Sequence, residues 1–174
     1  MKALRWLFRV SAPILILEYF VLYFVARNLN ENLTAYDVVP PMIIAAILGA
    51  LLIGVFRLFM KSLDRAVLAA SAWAVFIFYV PIYEALLYEM QWPIRHRYLL
   101  PVFGIIMIGV PVLARRLREE TLRTVQQAIT YVSIVLVALT LYPITVHAMK
   151  EAKARLADER PVEFTYPEGE SPYD

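Results

Sequence analysis

Five stretches of the chain, 17 to 23 residues long, carry almost no charge: 6–26, 41–60, 66–88, 98–114 and 125–147. At 1.5 Å rise per residue, about 20 helical residues cover the ~30 Å hydrocarbon layer of a bilayer. The stretches are apolar on every face and about twice the length of a barrel strand, which would also alternate polar and apolar positions. The pattern predicts an all-α, polytopic membrane helix bundle with five transmembrane helices. The first span ends at Arg27 and the polar run Asn28-Leu29-Asn30-Glu31-Asn32. The second is entered through Pro40-Pro41, residues suited to a first helical turn, where no backbone N–H is needed. Residues 1–149 form this membrane domain. From Lys150 to Arg160 the chain keeps good helix formers, so the last span is expected to continue out of the membrane. Pro161, Pro167 and Pro172 then turn the tail, through residue 174, into a linker.

Charge supplies the orientation. Ten basic residues flank one set of helix ends: Lys2, Arg5, Arg9, Arg57, Lys61, Arg65, Arg115, Arg116, Arg118 and Arg123. The two short loops on the opposite side hold only Arg27, Arg95 and Arg97. Short cytoplasmic loops carry the excess of Lys and Arg, which predicts an N-terminus inside and a C-terminus outside. The basic N-terminus followed by an apolar run resembles a signal peptide. The run carries bulky Tyr19, Phe20, Tyr23 and Phe24 with no small-x-small site soon after, so it is read as a retained span.

Composition sharpens the picture at two points. Apolar residues make up 61% of the chain and charged residues 18%, against about 45–50% apolar for a soluble domain. Mean hydropathy is +0.62. With no cysteine, disulfides and thiolate chemistry are excluded, and with two histidines the composition argues against a structural zinc site.

Two rows of small residues at spacing four, Ala46/Ala50/Gly54 and Ala66/Ala70/Ala74, are expected to face neighbouring helices, where small side chains let backbones approach. Pro13, Pro81, Pro111 and Pro143 lie inside spans, where each removes a backbone hydrogen bond and can kink its helix.

Candidate chemistry is sparse. Glu18 sits near the middle of the first span, where a carboxylate is costly and is by default a functional position for a ligand or proton. Its bland counterpart is a hydrogen bond to a neighbouring Tyr or to backbone freed by proline. Glu84 at the outer end of the third span, with Arg95, His96 and Arg97 opening the fourth, forms a candidate lipid-headgroup site. Guanidinium forks suit phosphate oxygens, whereas simple interfacial ion pairing would explain the same charges. Arg115-Arg116-Leu117-Arg118 reads first as a topology signal and second as a contact for anionic inner-leaflet lipid. Trp6, Tyr36, Tyr88, Trp92, Tyr98 and Tyr142 fall near span boundaries as an aromatic belt. No Gly-rich phosphate loop, paired catalytic carboxylates, nucleophile elbow or metal-ligand cluster stands in the sequence. The reading assigns no catalytic residue, metal or cofactor, and no nucleic-acid partner.

Pro40-Pro41 leading into the second span, the loop Arg57–Arg65, Tyr83-Glu84 and above all Arg95-His96-Arg97-Tyr98-Leu99-Leu100-Pro101 resemble the N-terminal membrane module of bacterial sulfatase-like membrane proteins. These belong to the alkaline-phosphatase superfamily, which includes lipoteichoic-acid-synthase-like enzymes. The resemblance implies a multi-pass protein of the bacterial inner membrane and cell envelope. Its helices precede an extracytoplasmic hydrolase-like domain, which would begin near Pro172-Tyr173-Asp174. That domain's metal ligands and nucleophile have no matching positions in residues 1–174. The expectation is therefore a non-catalytic anchor and lipid-side platform, with membrane lipids and a covalent or separate catalytic domain as partners. Two other readings stand beside it: a small transporter or channel-like protein built around Glu18 and the prolines, and a structural subunit of a membrane complex.

Overall fold

The computed structural model describes residues 2–31, 33, 35–89, 91 and 95–158. Every regular element among them is helical: α1 (Lys2–Arg27), α2 (Ala35–Phe59), α3 (Leu63–Ile77), α4 (Tyr79–Glu84), α5 (His96–Arg116) and α6 (Glu119–Asp158). A 3-10 turn (Leu29–Glu31) follows α1, and a π-helical turn (Ala85–Glu89) follows α4. Four helices, α1, α2, α5 and α6, are long and apolar enough to cross a membrane. The pair α3 and α4 makes a fifth only if counted as one bent span. The proposed linker at 159–174 and the belt residue Trp92 lie outside the described residues.

The third apolar stretch is not one straight helix. It breaks at Phe78, and the two parts meet at 59°. Pro81 has no N–H to offer the carbonyl of Ile77, so the ladder fails where the helix stops. The second stretch departs from expectation the other way. Its helix begins at Ala35, which puts Pro40 and Pro41 beyond the first turn. The prolines cannot donate to the carbonyls four residues back, those of Tyr36 and Asp37, and both residues are exposed at the helix end.

α3 is the central element and packs against α1, α2, α5 and α6. Ala66 through Ser71 are buried without interruption, so this half of the helix is enclosed on all faces, while Trp73, Val75 and Ile77 further along are exposed. Small residues make this possible: Ala66, Ala70 and Ala74 have no exposed surface, as their spacing implied. The companion row on α2 is displaced. Ala50 and Gly54 are exposed, and the buried small residues are Ala45 and Gly49. A Cβ on Gly49 would stand 2.8 Å from Cγ1 and 3.0 Å from Cα of Ile14, so α1 and α2 meet here at backbone contact. Both phases of the α2 pattern offer small residues, and the bulk of α1 selects between them.

Chain direction alternates through the bundle. Val10 packs near Val67, Leu17 near Ala74, and Phe20 stacks on Phe78 at 4.2 Å, so α1 and α3 run parallel. Phe8 meets Tyr131 at 5.2 Å, and Val25 shares a cavity wall with Ile144, so α6 runs with them. α2 and α5 run opposite. On α5, Ala114 packs near Leu68, and the Met107 carbonyl accepts from the Trp73 indole. The outer faces of α2 and α5 expose Ile43, Ile44, Ile47, Ile105, Ile108 and Val112, a surface suited to lipid rather than water.

Candidate functional site

The most ordered polar structure lies where the basic helix ends converge. Asp64 occupies the first turn of α3, after Ser62, whose hydroxyl accepts from the Arg65 backbone N–H at 3.4 Å. Its carboxylate is about 4% exposed. Arg9 from α1 grips both oxygens, Nε to Oδ1 at 3.0 Å and Nη2 to Oδ2. Arg123 of α6 approaches the same Oδ2 through Nε at 3.8 Å. Gln126, one turn further along α6, donates to the Asp64 backbone carbonyl at 2.7 Å. A buried carboxylate is tolerated when paired and hydrogen-bonded, and these partners come from two other helices.

Neighbouring charges tie the remaining helix ends. Arg65 reaches Glu119 at 3.4 Å and the Leu117 carbonyl at 3.5 Å. Arg57 donates to the Met60 carbonyl at 2.8 Å, and Arg115 to that of Phe59 at 3.5 Å. The signs obey the helix dipole: arginines stand at the C-termini of α2 and α5, acids at the N-termini of α3 and α6. Residues legible in sequence only as a topology signal are thus structural as well. Asp64 had no signal of its own, since one acid among Lys61 and Arg65 looks like an ordinary loop charge.

At the opposite end, His96 opens α5 and shares a 3.0 Å hydrogen bond between its Nδ1 and the Tyr79 hydroxyl of α4. Tyr83 stacks on the imidazole at 3.5 Å. The proposed headgroup residues start from these positions. His96 is tied to α4, Arg97 lies over the Tyr98 ring and donates to its hydroxyl at 2.9 Å, and Arg95 and Glu84 are exposed. The contact of Tyr79 and Tyr83 with His96 brings Glu84's helix beside the start of α5.

Glu18 is half-buried midway along α1. Among the described residues a cavity of about 160 Å³ lies elsewhere, between the end of α1, the start of α2 and α6. Val25, Leu29, Val38 and Ile144 line it, with His147 and Glu151 3.4 Å apart at its edge. Three buried hydroxyls along the bundle are spent on their own helices: Ser71 on Val67 O, Ser133 on Ile129 O, Thr140 on Leu136 O. Among the described residues no three acidic or histidine side chains gather as a metal site.

No family model, curated protein or solved structure matches the chain.

Proposed function

We propose that the chain is a non-catalytic, five-pass anchor of the bacterial inner membrane. Its N-terminus would lie inside, and α6 would present an extracytoplasmic segment, as in the sulfatase-like module it resembles. The observation that carries this reading is the length of α6. Its 40 residues amount to about 60 Å of helix, twice what a ~30 Å hydrocarbon layer needs. Its apolar part ends near His147, and Lys150, Glu151, Lys153 and Arg155 follow on the same continuous helix. A helix that leaves the bilayer unbroken is a stiff mount for whatever it carries. Alternating chain direction through α1, α2, α3, α5 and α6 supports five crossings, with α3 and α4 as one bent span. Arg95 and Arg97 are exposed at the start of α5, and in this reading they would meet headgroups on the outer side.

A reporter domain that works only outside the cytoplasm, fused after Asp158, tests the reading. It should be active and stay with the membrane pellet. An inactive reporter at that position, with the same reporter active after Arg118, would reverse the assignment.

A further inference from the structure

The seam between α1 and α6 at the basic end carries a feature that neither topology nor packing requires. Arg9 and Arg123 converge on one oxygen, Oδ2 of Asp64. Two cations thus share one buried anion, while Glu119, one turn before Arg123, is taken by Arg65 and Glu120 stands exposed beside it. The Arg9 and Arg123 side chains are 43% and 63% exposed, so their guanidinium groups face outward. Arg9 spends two nitrogens on the carboxylate. Arg123 approaches through Nε alone, and its terminal nitrogens have no protein hydrogen bond among the described residues.

From Arg123 the exposed face of α6 continues through Gln127 to Tyr131, each four residues on and therefore on one stripe. Tyr131 is 60% exposed and lies against Phe8, the residue before Arg9 on α1. Along about 12 Å of seam the surface passes from paired guanidinium, through a carboxamide, to an aromatic pair. That order follows the layers of a lipid at the membrane edge: phosphate, glycerol esters, upper acyl chain. Basic clefts between transmembrane helices on the cytoplasmic side bind anionic headgroups, and a guanidinium fork matches two phosphate oxygens.

We propose that this seam is a binding site for an anionic membrane lipid. Arg123 and Arg9 hold its phosphate, and Gln127, Tyr131 and Phe8 line the path of its glycerol and chains. The aromatic floor beneath the cations favours a lipid over a soluble phosphate. The site is distinct from the outer-side residues Glu84, Arg95, His96 and Arg97, and it rests on the helices crossing a bilayer.

The test is lipid retention by the full chain, purified from micelles holding equal phosphatidylglycerol and phosphatidylcholine, with bound lipid counted by native mass spectrometry. The wild type should prefer phosphatidylglycerol. Arg123→Gln should lower that preference about fivefold or more, and Arg123→Lys should restore part of it. Tyr131→Ala, at an exposed position that does not threaten folding, should also lower retention. Arg116→Gln, the same charge change away from the seam, should leave the preference intact. Unchanged preference in Arg123→Gln and Tyr131→Ala, or an equal fall in Arg116→Gln, would overturn the proposal in favour of no site or diffuse attraction. Displacement of the lipid by inorganic phosphate, with Tyr131→Ala behaving as wild type, would overturn it in favour of a soluble anion. Alkaline carbonate extraction of the wild type tests the membrane reading separately, because an extracted protein would fail there whatever the seam binds.

Discussion

Asp64 shows how a single side chain can hold several helices. Its carboxylate is buried at the start of α3 and answered by Arg9 and Arg123 from two other helices. Asp64→Asn keeps the shape and the contact with Gln126, which is made to the backbone, and removes the charge both arginines face. The arginines left behind are 43% and 63% exposed, so water partly replaces the lost partner and the cost should be about 1–2 kcal/mol. Thermal unfolding in detergent should report a melting point several degrees lower for Asp64→Asn. A melting point within a degree of wild type would show that solvent at the exposed arginines already carries the interaction. Nothing in the sequence singled Asp64 out. Its burial arises only because α1, α3 and α6 place their polar ends together, and that convergence is a property of the assembled bundle. Glu18 was conspicuous for the opposite reason: an acid inside an apolar run is visible without knowing any neighbour. The structure leaves it half-buried.

At the scale of elements, a proline defect is repaired by a neighbouring helix. Pro111 cannot donate to the carbonyl four residues earlier, that of Met107, and the Trp73 indole of α3 donates to it instead, at 3.3 Å. Trp73→Phe should therefore cost about 1 kcal/mol in the presence of Pro111. In a Pro111→Ala background the helix supplies its own N–H, and the same substitution should cost measurably less. Equal losses in the two backgrounds, measured by unfolding, would mean that the indole acts through packing alone. The apolar stretches themselves were legible, because a run long enough to cross a bilayer needs no tertiary information. The small-residue row of α3 was legible for the same reason, since a helix enclosed on all sides along half its length must be small there. Two other features were not. The choice of Ala45 and Gly49 over Ala46, Ala50 and Gly54 depends on where Ile14 sits. The 59° bend at Phe78 depends on how far a chain interrupted by Pro81 is drawn toward α5 by Tyr79 and His96. A proline announces a possible kink but not its angle.

For the molecule as a whole, the parts agree on one arrangement. Helices alternate in direction around α3, the basic ends are locked together by ion pairs, and α2 and α5 turn apolar faces outward. α6 continues past the bundle as a charged helix. In the proposed topology the bent pair α3 and α4 crosses the membrane once, which would make five crossings and set Lys2 and Asp158 on opposite sides. The chain has no cysteine, so a single introduced thiol is an unambiguous reporter. The decisive measurement is labelling of Arg118→Cys and Lys153→Cys, both at exposed positions, with a membrane-impermeant maleimide. The account predicts that Lys153→Cys is labelled in intact cells and Arg118→Cys only after the membrane is opened. The reverse pattern, Arg118→Cys labelled in intact cells and Lys153→Cys only after opening, is what four crossings would give and would contradict it, as would labelling of both under one condition.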